Sequence, residues 1–324
     1  MKVLFIGGTG IISSASSELA LKNGIDLYHL NRGQSFRKIY GVKNIIADIR
    51  NFEEAKKTLE DYEFDAVVDW ISFTPEHIEN NIKLFTGKTK QFVFISTASV
   101  YQTPPEKLPV TEETPLHNPI WKYSQDKIAC EDALHNAYAE NKFPYTIVRP
   151  SHTYDKTLIP ITGGYTALHR MKHGLPVVVH GDGSSIWTIT HNKDFAVGLV
   201  GLLGKQEAIN EAFHITNNEL LTWSNIYKAL AKELGVTPQL VNIPSHIIAK
   251  YDKDIGDGLL GDKAHSMIFD NSKIKALVPE FDPQIPFQVG ANEIITWYSK
   301  PENQIINDDF NSMTDKMIED FKTL

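Results

Sequence analysis

Residues 2–14 read KVLFIGGTGIISS, and this stretch decides the fold. Val3 to Ile6 is an unbroken apolar run, the pattern of a strand covered on both faces. Glycines follow, and from Ile11 the spacing turns helical until Asn23-Gly24, a good helix stop. Strand, tight turn and helix N-terminus in that order form a site where backbone N–H groups and the helix dipole favour an anion, such as a nucleotide's pyrophosphate. Gly7, Gly10 and position 13 keep a GxxGxxG spacing. The first glycine permits the turn, the second lets the backbone approach the phosphates, and the third lets helix pack closely on strand. Ser13 takes the third place and is small enough for the packing role. Thr9, Ile11 and Ile12 belong to the same turn and are assigned with Gly7 and Gly10 to a dinucleotide.

The pattern around this stretch repeats it. Strands are expected at Asp26–Leu30, Ile45–Ala47, Ala66–Trp70, Phe92–Ile95 and Tyr145–Val148. Helices are expected at Asn51–Leu59, from Pro75 to about Phe85, and from about Ile120 to Asn141. Strand–helix–strand units at this spacing require a parallel sheet with helices on both faces, because right-handed crossovers put them there. The fold class is therefore α/β, a Rossmann-like doubly wound parallel sheet. Beyond Pro150 the rhythm changes. Pro160 to Gly183 reads as loops rich in Gly, Pro and His, a helix returns from about Asp194 to Leu203, and Phe213–Thr216 reads as another strand. The expected division is residues 1–155 as a nucleotide-binding domain, with returns from about 185–216, and residues 156–324 mainly as a smaller C-terminal substrate lobe. Near the end, Phe310, Met313, Met317, Phe321 and Leu324 fall on one helical stripe that reads as core packing.

Composition narrows the function. The chain has 324 residues, 42% of them hydrophobic, enough for a large α/β core. A net charge of −8 opposes nucleic-acid binding, which needs a basic face. The single cysteine, Cys130, allows no internal disulfide and no thiolate metal cluster, and its helical setting reads as a packed, inert thiol. The histidines show no metal-ligand spacing, so no metal is expected. No stretch approaches the ~18 apolar residues of a membrane span, and the apolar run at the start is too brief for a signal peptide. A cytoplasmic protein acting on a small molecule, away from membrane and nucleic acid, is the expectation. Phe85-Thr86-Gly87-Lys88-Thr89 ends like a phosphate-binding P-loop, but Ile82 stands where the first glycine is required.

The second strand ends at Asn31-Arg32. An acidic side chain there would bind the ribose 2′-hydroxyl of NAD, whereas a cation accommodates the 2′-phosphate of NADP, so Arg32 favours NADP over NAD. Arg37 and Lys38 can add to that charge, although exposed loop cations are more often merely solvated. Tyr123 and Lys127 form YxxxK, an i, i+4 pair on one helix face. A neighbouring ammonium favours phenolate and would make Tyr123 a usable base. Ile95-Ser96-Thr97-Ala98-Ser99 brings hydroxyls to the carboxyl edge of the sheet, where ligands of such sheets bind.

Taken together, GGTGIIS at Gly7, Asp48 after the third strand, STASVY at Ser96, YSQDK at Tyr123, VRPSHTY at Val148 and DGSSIWTITHNKD at Asp182 resemble the extended-type short-chain dehydrogenase/reductases. That group contains the NAD-dependent sugar-nucleotide epimerases and dehydratases. The resemblance runs along essentially the whole chain and implies catalytic roles for Thr97, Tyr123 and Lys127. It places Asp48, with neighbouring Ile49, at the adenine, and puts Asn31, Arg32 and Pro150 on the cofactor. Ser99, His152 and Trp187 fall to the substrate. It further implies pairing into a homodimer through the Tyr123 helix and the helix after Pro75. The implied chemistry is hydride transfer, with Tyr123 exchanging the proton of a substrate hydroxyl while Thr97 steadies its oxygen. The substrate is expected to be a nucleotide sugar or a related keto or hydroxy compound. Two alternatives stay open: an NADPH-dependent reductase of a non-sugar ketone, and a non-catalytic NADP-sensing or RNA-associated regulator. Ala98-Ser99 stands where dehydratases carry an Asp-Glu pair, which disfavours dehydration.

Overall fold

The computed structural model describes residues 1–323; Leu324 of the predicted C-terminal stripe lies outside them. Seven parallel strands form the central sheet. In chain order they are β1 (Lys2–Ile6), β2 (Asp26–Asn31), β3 (Lys43–Ile46), β4 (Ala66–Asp69), β5 (Phe92–Ile95), β6 (Tyr145–Pro150) and a last strand at Glu211–Ile215. In space the order is the last strand, then β6-β5-β4-β1-β2-β3, so the topology reverses beside β1. That reversal opens the crevice in which doubly wound sheets hold ligands.

Side chains alternate across the sheet because successive residues of a strand point to opposite faces. Leu4 and Ile6 join a core with Ile78, Leu84, Cys130 and Leu134. These come from α3 (Pro75–Phe85) and α4 (Lys122–Asn141), with α2 (Phe52–Thr58) alongside. Val3 and Phe5 point the other way, into a core with Ala20, Phe195 and Leu199. There α1 (Ile11–Lys22) packs against a later helix at Asn192–Leu202. All four of Val3, Leu4, Phe5 and Ile6 are fully buried, each contributing about 1.5–3 kcal/mol of hydrophobic stabilisation. Small side chains line the inner face of α1: Ser13, Ala15, Ser16, Ser17 and Ala20 are buried. Ser16 and Ser17 donate their hydroxyls to the carbonyls of Ile12 and Ser13, at 2.8 and 2.7 Å, so their polarity is satisfied inside the helix.

After β6 come β7 (His152–Tyr154), α5 (Gly164–Lys172), β8 (Val177–His180), β9 (Ile186–Trp187) and β10 (Ile189–His191), then the helix Asn192–Leu202, here α6. The stretch 160–183 is therefore not the run of loops expected from its Gly, Pro and His. Ala167, Leu168 and Met171 bury one side of α5, and Val177 and Val179 bury β8 in the same core. A helix of nine residues and a strand of four are short enough for flanking turn residues to mask them. Cys130 is buried, and burial pushes its thiol up to about 12, the inert state expected of it. Met317 packs with Ile243, Ile248 and Leu259, and Met313 and Phe321 lie partly buried against them, while the Phe310 ring of the same stripe lies against Gly163.

The glycine turn carries the tightest constraint. Gly7 and Gly8 have φ of 106° and 104°, in the left-handed region. A Cβ on Gly8 would stand 2.5 Å from the ring of buried His29. Gly8→Ala is expected to destabilise by about 2 kcal/mol or more through both strain and clash, seen as a lower urea midpoint with an unchanged slope; an unaltered midpoint would contradict this geometry.

Candidate functional site

Ser13 has a role beyond size: its Oγ accepts the Gly10 N–H at 2.7 Å, tying the turn to the first turn of α1. One turn later, Ser17 Oγ lies 2.8 Å from His29 Nε2, and burial lowers the imidazole to about 4, leaving it neutral at pH 7. Helix α1 is thus aimed from β1 and locked sideways to β2. Thr9, Asn31 and Gly33 line a groove on the β2 side of the turn together with Arg37, Lys38, Tyr40 and Asn44. Asn31 Oδ1 accepts the Gly33 N–H at 2.8 Å and shapes the bend after β2.

The cations after β2 do not behave alike. Arg32 and Lys38 are exposed. Arg37 is anchored: its guanidinium donates to Gly10 O at 3.2 Å, Ser14 Oγ at 2.7 Å and Thr157 Oγ1 at 3.2 Å, and pairs with Asp155 at 3.3 Å. These contacts set aside the solvated alternative for Arg37, and its place in an irregular loop could not reveal them. Asp48 accepts the Arg50 N–H at 3.0 Å, while Ile49 is buried. Arg50 donates to Ile71 O and lies within electrostatic reach of Asp48 and Arg32. Lys88, of the P-loop-like segment, donates to Leu59 O and Glu60 O at 3.0 and 2.7 Å and so closes the C-terminus of α2.

At the carboxyl edge of β1, β4, β5 and β6 lies an open cleft with about 1050 Å³ of empty space. Ile12, Thr97, Ser99, Tyr123, Lys127, Pro150, His152 and Trp187, all singled out from sequence, line it together. Tyr123 and Lys127 sit in the first two turns of α4. Lys127 is 2% exposed, and its ammonium donates to Ser72 O and Ile95 O at 2.7 and 2.8 Å. It also stands 4.6 Å over the Phe94 ring and 5.9 Å from the Tyr123 ring centroid. Burial lowers it to about 8, so it remains mostly charged at pH 7.

Tyr123 moves the opposite way from the expectation of an ammonium-stabilised phenolate. Burial pushes its phenol up to about 12, a hydrogen bond with Thr97 pulls it back in part, and the Asp262 carboxylate adds to the rise. The ammonium's hydrogen bonds go to two carbonyls, so the phenol stays protonated at neutral pH. Thr97 Oγ1 lies 3.1 Å from Ser99 Oγ, which reaches Ser124 Oγ at 2.7 Å, a chain of hydroxyls behind the phenol. His152 is lowered to about 3, chiefly by burial and then by Lys263, so it offers the cleft a neutral imidazole.

Residues 3–216 match the family model of the NAD dependent epimerase/dehydratase family. The chain belongs to this family. Among curated relatives, the chloroplast stem-loop binding protein of 41 kDa b from Arabidopsis thaliana is 26% identical over 74% of this chain and 65% of its own. UDP-glucose 4-epimerase of Lactobacillus helveticus is 32% identical over 46% and 51%. The chain thus spans about half to two thirds of the length of these relatives. Of solved structures, UDP-glucuronic acid 4-epimerase from Bacillus cereus, in complex with UDP-glucuronic acid and NAD, superposes with a TM-score of 0.75 at 20% identity, covering 92% of this chain and 99% of that one. UDP-glucose 4-epimerase from Bifidobacterium longum, with NAD+ and UDP, gives 0.74 at 19% identity over 94% and 100%. Among the described residues no helix is long and apolar enough to cross a membrane, and no group of three or more His, Cys, Asp or Glu could hold a metal ion.

In this member of the epimerase/dehydratase family the cleft also contains residues that no motif announces: Trp70, Phe73, Trp121, Asp262 and Lys263. Asp262 and Lys263 lie in a π-helical turn, Leu259–Lys263. Asn118 holds this turn against the site by donating to Gly261 O at 2.7 Å and Ser99 O at 3.0 Å, while its Oδ1 accepts the Trp121 N–H at 3.0 Å. Asp262 is 5% exposed and raised to about 6 by burial, which Lys263 opposes only in part. The native state therefore holds this proton more tightly than an unfolded carboxyl near 3.8 does, and stability falls as pH rises from about 4 to about 6. Asp262→Asn is expected to raise Tm by roughly 2–5 °C at pH 7.5 and to leave it nearly unchanged at pH 4. Calorimetry at the two pH values checks this; an equal shift at both would show that the carboxyl does not titrate as described.

Proposed function

We propose that this protein is an NAD(P)-dependent oxidoreductase or epimerase that moves hydride between a nicotinamide and a hydroxyl- or keto-bearing carbon of a sugar-like substrate. The observation that carries the reading is the Tyr123 phenol, kept neutral in the cleft beside Thr97 and Lys127. The residues present fit the dinucleotide: two glycines at positive φ, the N-terminus of α1 and the anchored Arg37 converge at the turn, where a Cβ on Gly7 would crowd Ile71 and Trp70. When bound, the nicotinamide supplies the hydride acceptor or donor. Gly7, Gly10, Thr9, Ile11 and Ile12 would hold the pyrophosphate, and Asn31, Arg32, Asp48 and Ile49 the adenosine half. Arg32 favours NADP by charge.

Tyr123 acts as the proton donor when a ketone is reduced. A phenol near 12 is fully protonated at pH 7, and Thr97 stabilises the anion left after transfer. Lys127, 5.9 Å from the Tyr123 ring centroid and bonded to Ser72 O and Ile95 O, positions the helix turn that carries the phenol. In epimerisation the same groups serve both directions, with the keto intermediate turning between them. Ala98 and Ser99 are both buried, and Ser99 is engaged with Ser124, so no acid–base pair for dehydration stands beside Thr97. The family support comes from epimerases and dehydratases alike. The relative named for stem-loop binding supports an RNA-associated reading, against which the net charge of −8 weighs. Helices α3 and α4 lie side by side on one face of the sheet, the arrangement a four-helix homodimer contact would use.

Tyr123→Phe is expected to lower turnover by about 10²–10⁴-fold while leaving the cofactor Kd within about twofold; steady-state kinetics and nicotinamide fluorescence read the two, and unchanged turnover ends the proposal. In the same titrations, Arg32→Ala should remove most of the preference for NADPH over NADH. An equally strong preference after the substitution would reassign that role.

A further inference from the structure

Asp69 ends β4 fully buried. Its Oδ1 accepts the N–H groups of Ile71 and Ser72 at 3.0 Å each, and its Oδ2 accepts the Asn81 side-chain amide at 2.8 Å. All three partners are neutral. An asparagine would take the two backbone hydrogens equally well, so nothing in these bonds offsets the desolvation of a charge. A carboxylate buried on those terms calls for a cation that its charge serves.

Lys127 is that cation. Ser72 joins the two: its N–H is held by Asp69, and its carbonyl accepts the ammonium at 2.7 Å. Asn81 completes the frame by donating to Ser72 Oγ at 3.2 Å as well as to Asp69. The other titratable groups that face the ammonium do not supply an anion. Glu131 on α4 is paired with Arg149 at 2.6 Å, and burial pushes the Cys130 thiol up to about 12, which leaves it neutral. Arg50, from the loop after β3, is a like charge. His77 on α3 is lowered chiefly by burial and is mostly neutral at pH 7, and the Tyr123 phenol is protonated. Burial lowers Lys127 to about 8, and Asp69 is the foremost of the groups opposing that fall. The same turn borders the glycine loop, where a Cβ on Gly7 would stand 3.3 Å from Ile71 and 3.5 Å from Trp70. One buried carboxylate therefore shapes the backbone between the dinucleotide turn and the ammonium.

We propose that Asp69 is a positioning residue of the site: it holds the Ser72 carbonyl on which the Lys127 ammonium rests and supplies the buried countercharge for that ammonium. It acts on Tyr123 at second hand, through the turn of α4 that Lys127 fixes. This rests on the reading of the Tyr123 cleft as the catalytic site. On losing its proton the Lys127 nitrogen would keep two hydrogens but lose the charge that strengthens its bonds to the two carbonyls, so the charged state is the one that holds α4 firmly. Without the charge of Asp69, burial acts with less opposition and the ammonium gives up its proton at a lower pH.

A carbon NMR titration of protein isotopically labelled at the lysine ε-carbons tests the proposal, with the Lys127 signal assigned by its absence in Lys127→Met. The wild-type signal is expected to titrate near 8. Asp69→Asn keeps an oxygen for the Ile71 and Ser72 N–H groups and removes the charge, and is expected to lower the midpoint by about one pH unit or more. Combining Asp69→Asn with Asn81→Asp puts a carboxylate back on the other side of the same contact. This exchange is expected to restore most of the lost interval, and it carries the test if Asp69→Asn alone does not fold. A midpoint unmoved in Asp69→Asn, or one well below wild type in the exchanged protein, would each overturn the proposal. Because the titration reads the ammonium, it is separate from turnover. A midpoint lowered by Asp69→Asn, in a protein whose turnover survives Tyr123→Phe, would refute the hydride-transfer reading and leave the tie between Asp69 and Lys127 standing.

Discussion

The ammonium of Lys127 is the constraint on which the site depends. A charged group 2% exposed is costly unless its hydrogens are bonded, and it takes them to Ser72 O beyond β4 and Ile95 O at the end of β5. Those carbonyls are themselves held in place. Asp69, fully buried, accepts the N–H groups of Ile71 and Ser72 at 3.0 Å and the Asn81 side chain at 2.8 Å. It also contributes charge that favours the ammonium. Lys127 therefore fixes the axial position of α4 relative to the sheet edge, and Tyr123, one turn earlier, inherits its place beside Thr97. The residue that looks like a pKa modifier in sequence is first a mechanical tie. A buried ion of this kind adds little net stability but makes any other register of α4 expensive, because sliding the helix would strand the charge.

The turn after β1 solves a related problem with small residues instead of charge. Gly8 passes so close to His29 that no side chain fits, and His29 is kept neutral by its own burial. Ser17 joins the imidazole to the helix, and Ser13 joins the helix to Gly10. The chain of contacts from β2 through α1 to the turn leaves the helix N-terminus aimed at the sheet edge with almost no freedom. On its other side α1 packs against α6, and α6 in turn packs closely on the last strand and beyond, where a Cβ on Gly198 would meet Ile215 at 3.0 Å and one on Gly201 would meet Val278 at 2.2 Å. Small residues therefore recur wherever this layer packs closely.

The sheet was legible because its signals are local. Apolar runs such as Val3–Ile6 and Phe92–Ile95, helix stops such as Asn23-Gly24, and the i, i+4 pair Tyr123 and Lys127 each read within a few residues. Most residues singled out for the cleft also gather there, because the parallel topology delivers the ends of β1, β5 and β6 to one edge. What stayed hidden depends on distant partners. Asp262 carries no motif; it enters the cleft through a π-turn pinned by Asn118, an interaction spanning 143 residues. Arg37 looked like a loop cation because its partners, Asp155 and Thr157, lie more than a hundred positions away. The direction of the Tyr123 shift was hidden for the same reason: spacing predicts that an ammonium is near, but not that two carbonyls will take its hydrogens.

The deepest ionic network, Arg149 with Glu131, is closed on itself: Glu131 accepts from Ser96 Oγ at 2.5 Å and from the guanidinium at 2.6 Å, and Arg149 reaches the Tyr101 hydroxyl at 3.2 Å. Such saturation leaves nothing for a ligand, and its function is to hold β6 and α4 together. Unpaired buried atoms occur both at the cleft and away from it: those of Trp70, Trp187 and Asp262 belong to residues lining the cleft, those of Tyr154 and Asn192 to residues outside it, each at a cost in stability. It is the closed Arg149–Glu131 network that marks the rigid scaffold behind the cleft, because Glu131 sits on the same helix as Tyr123 and Lys127 and ties that helix to β6.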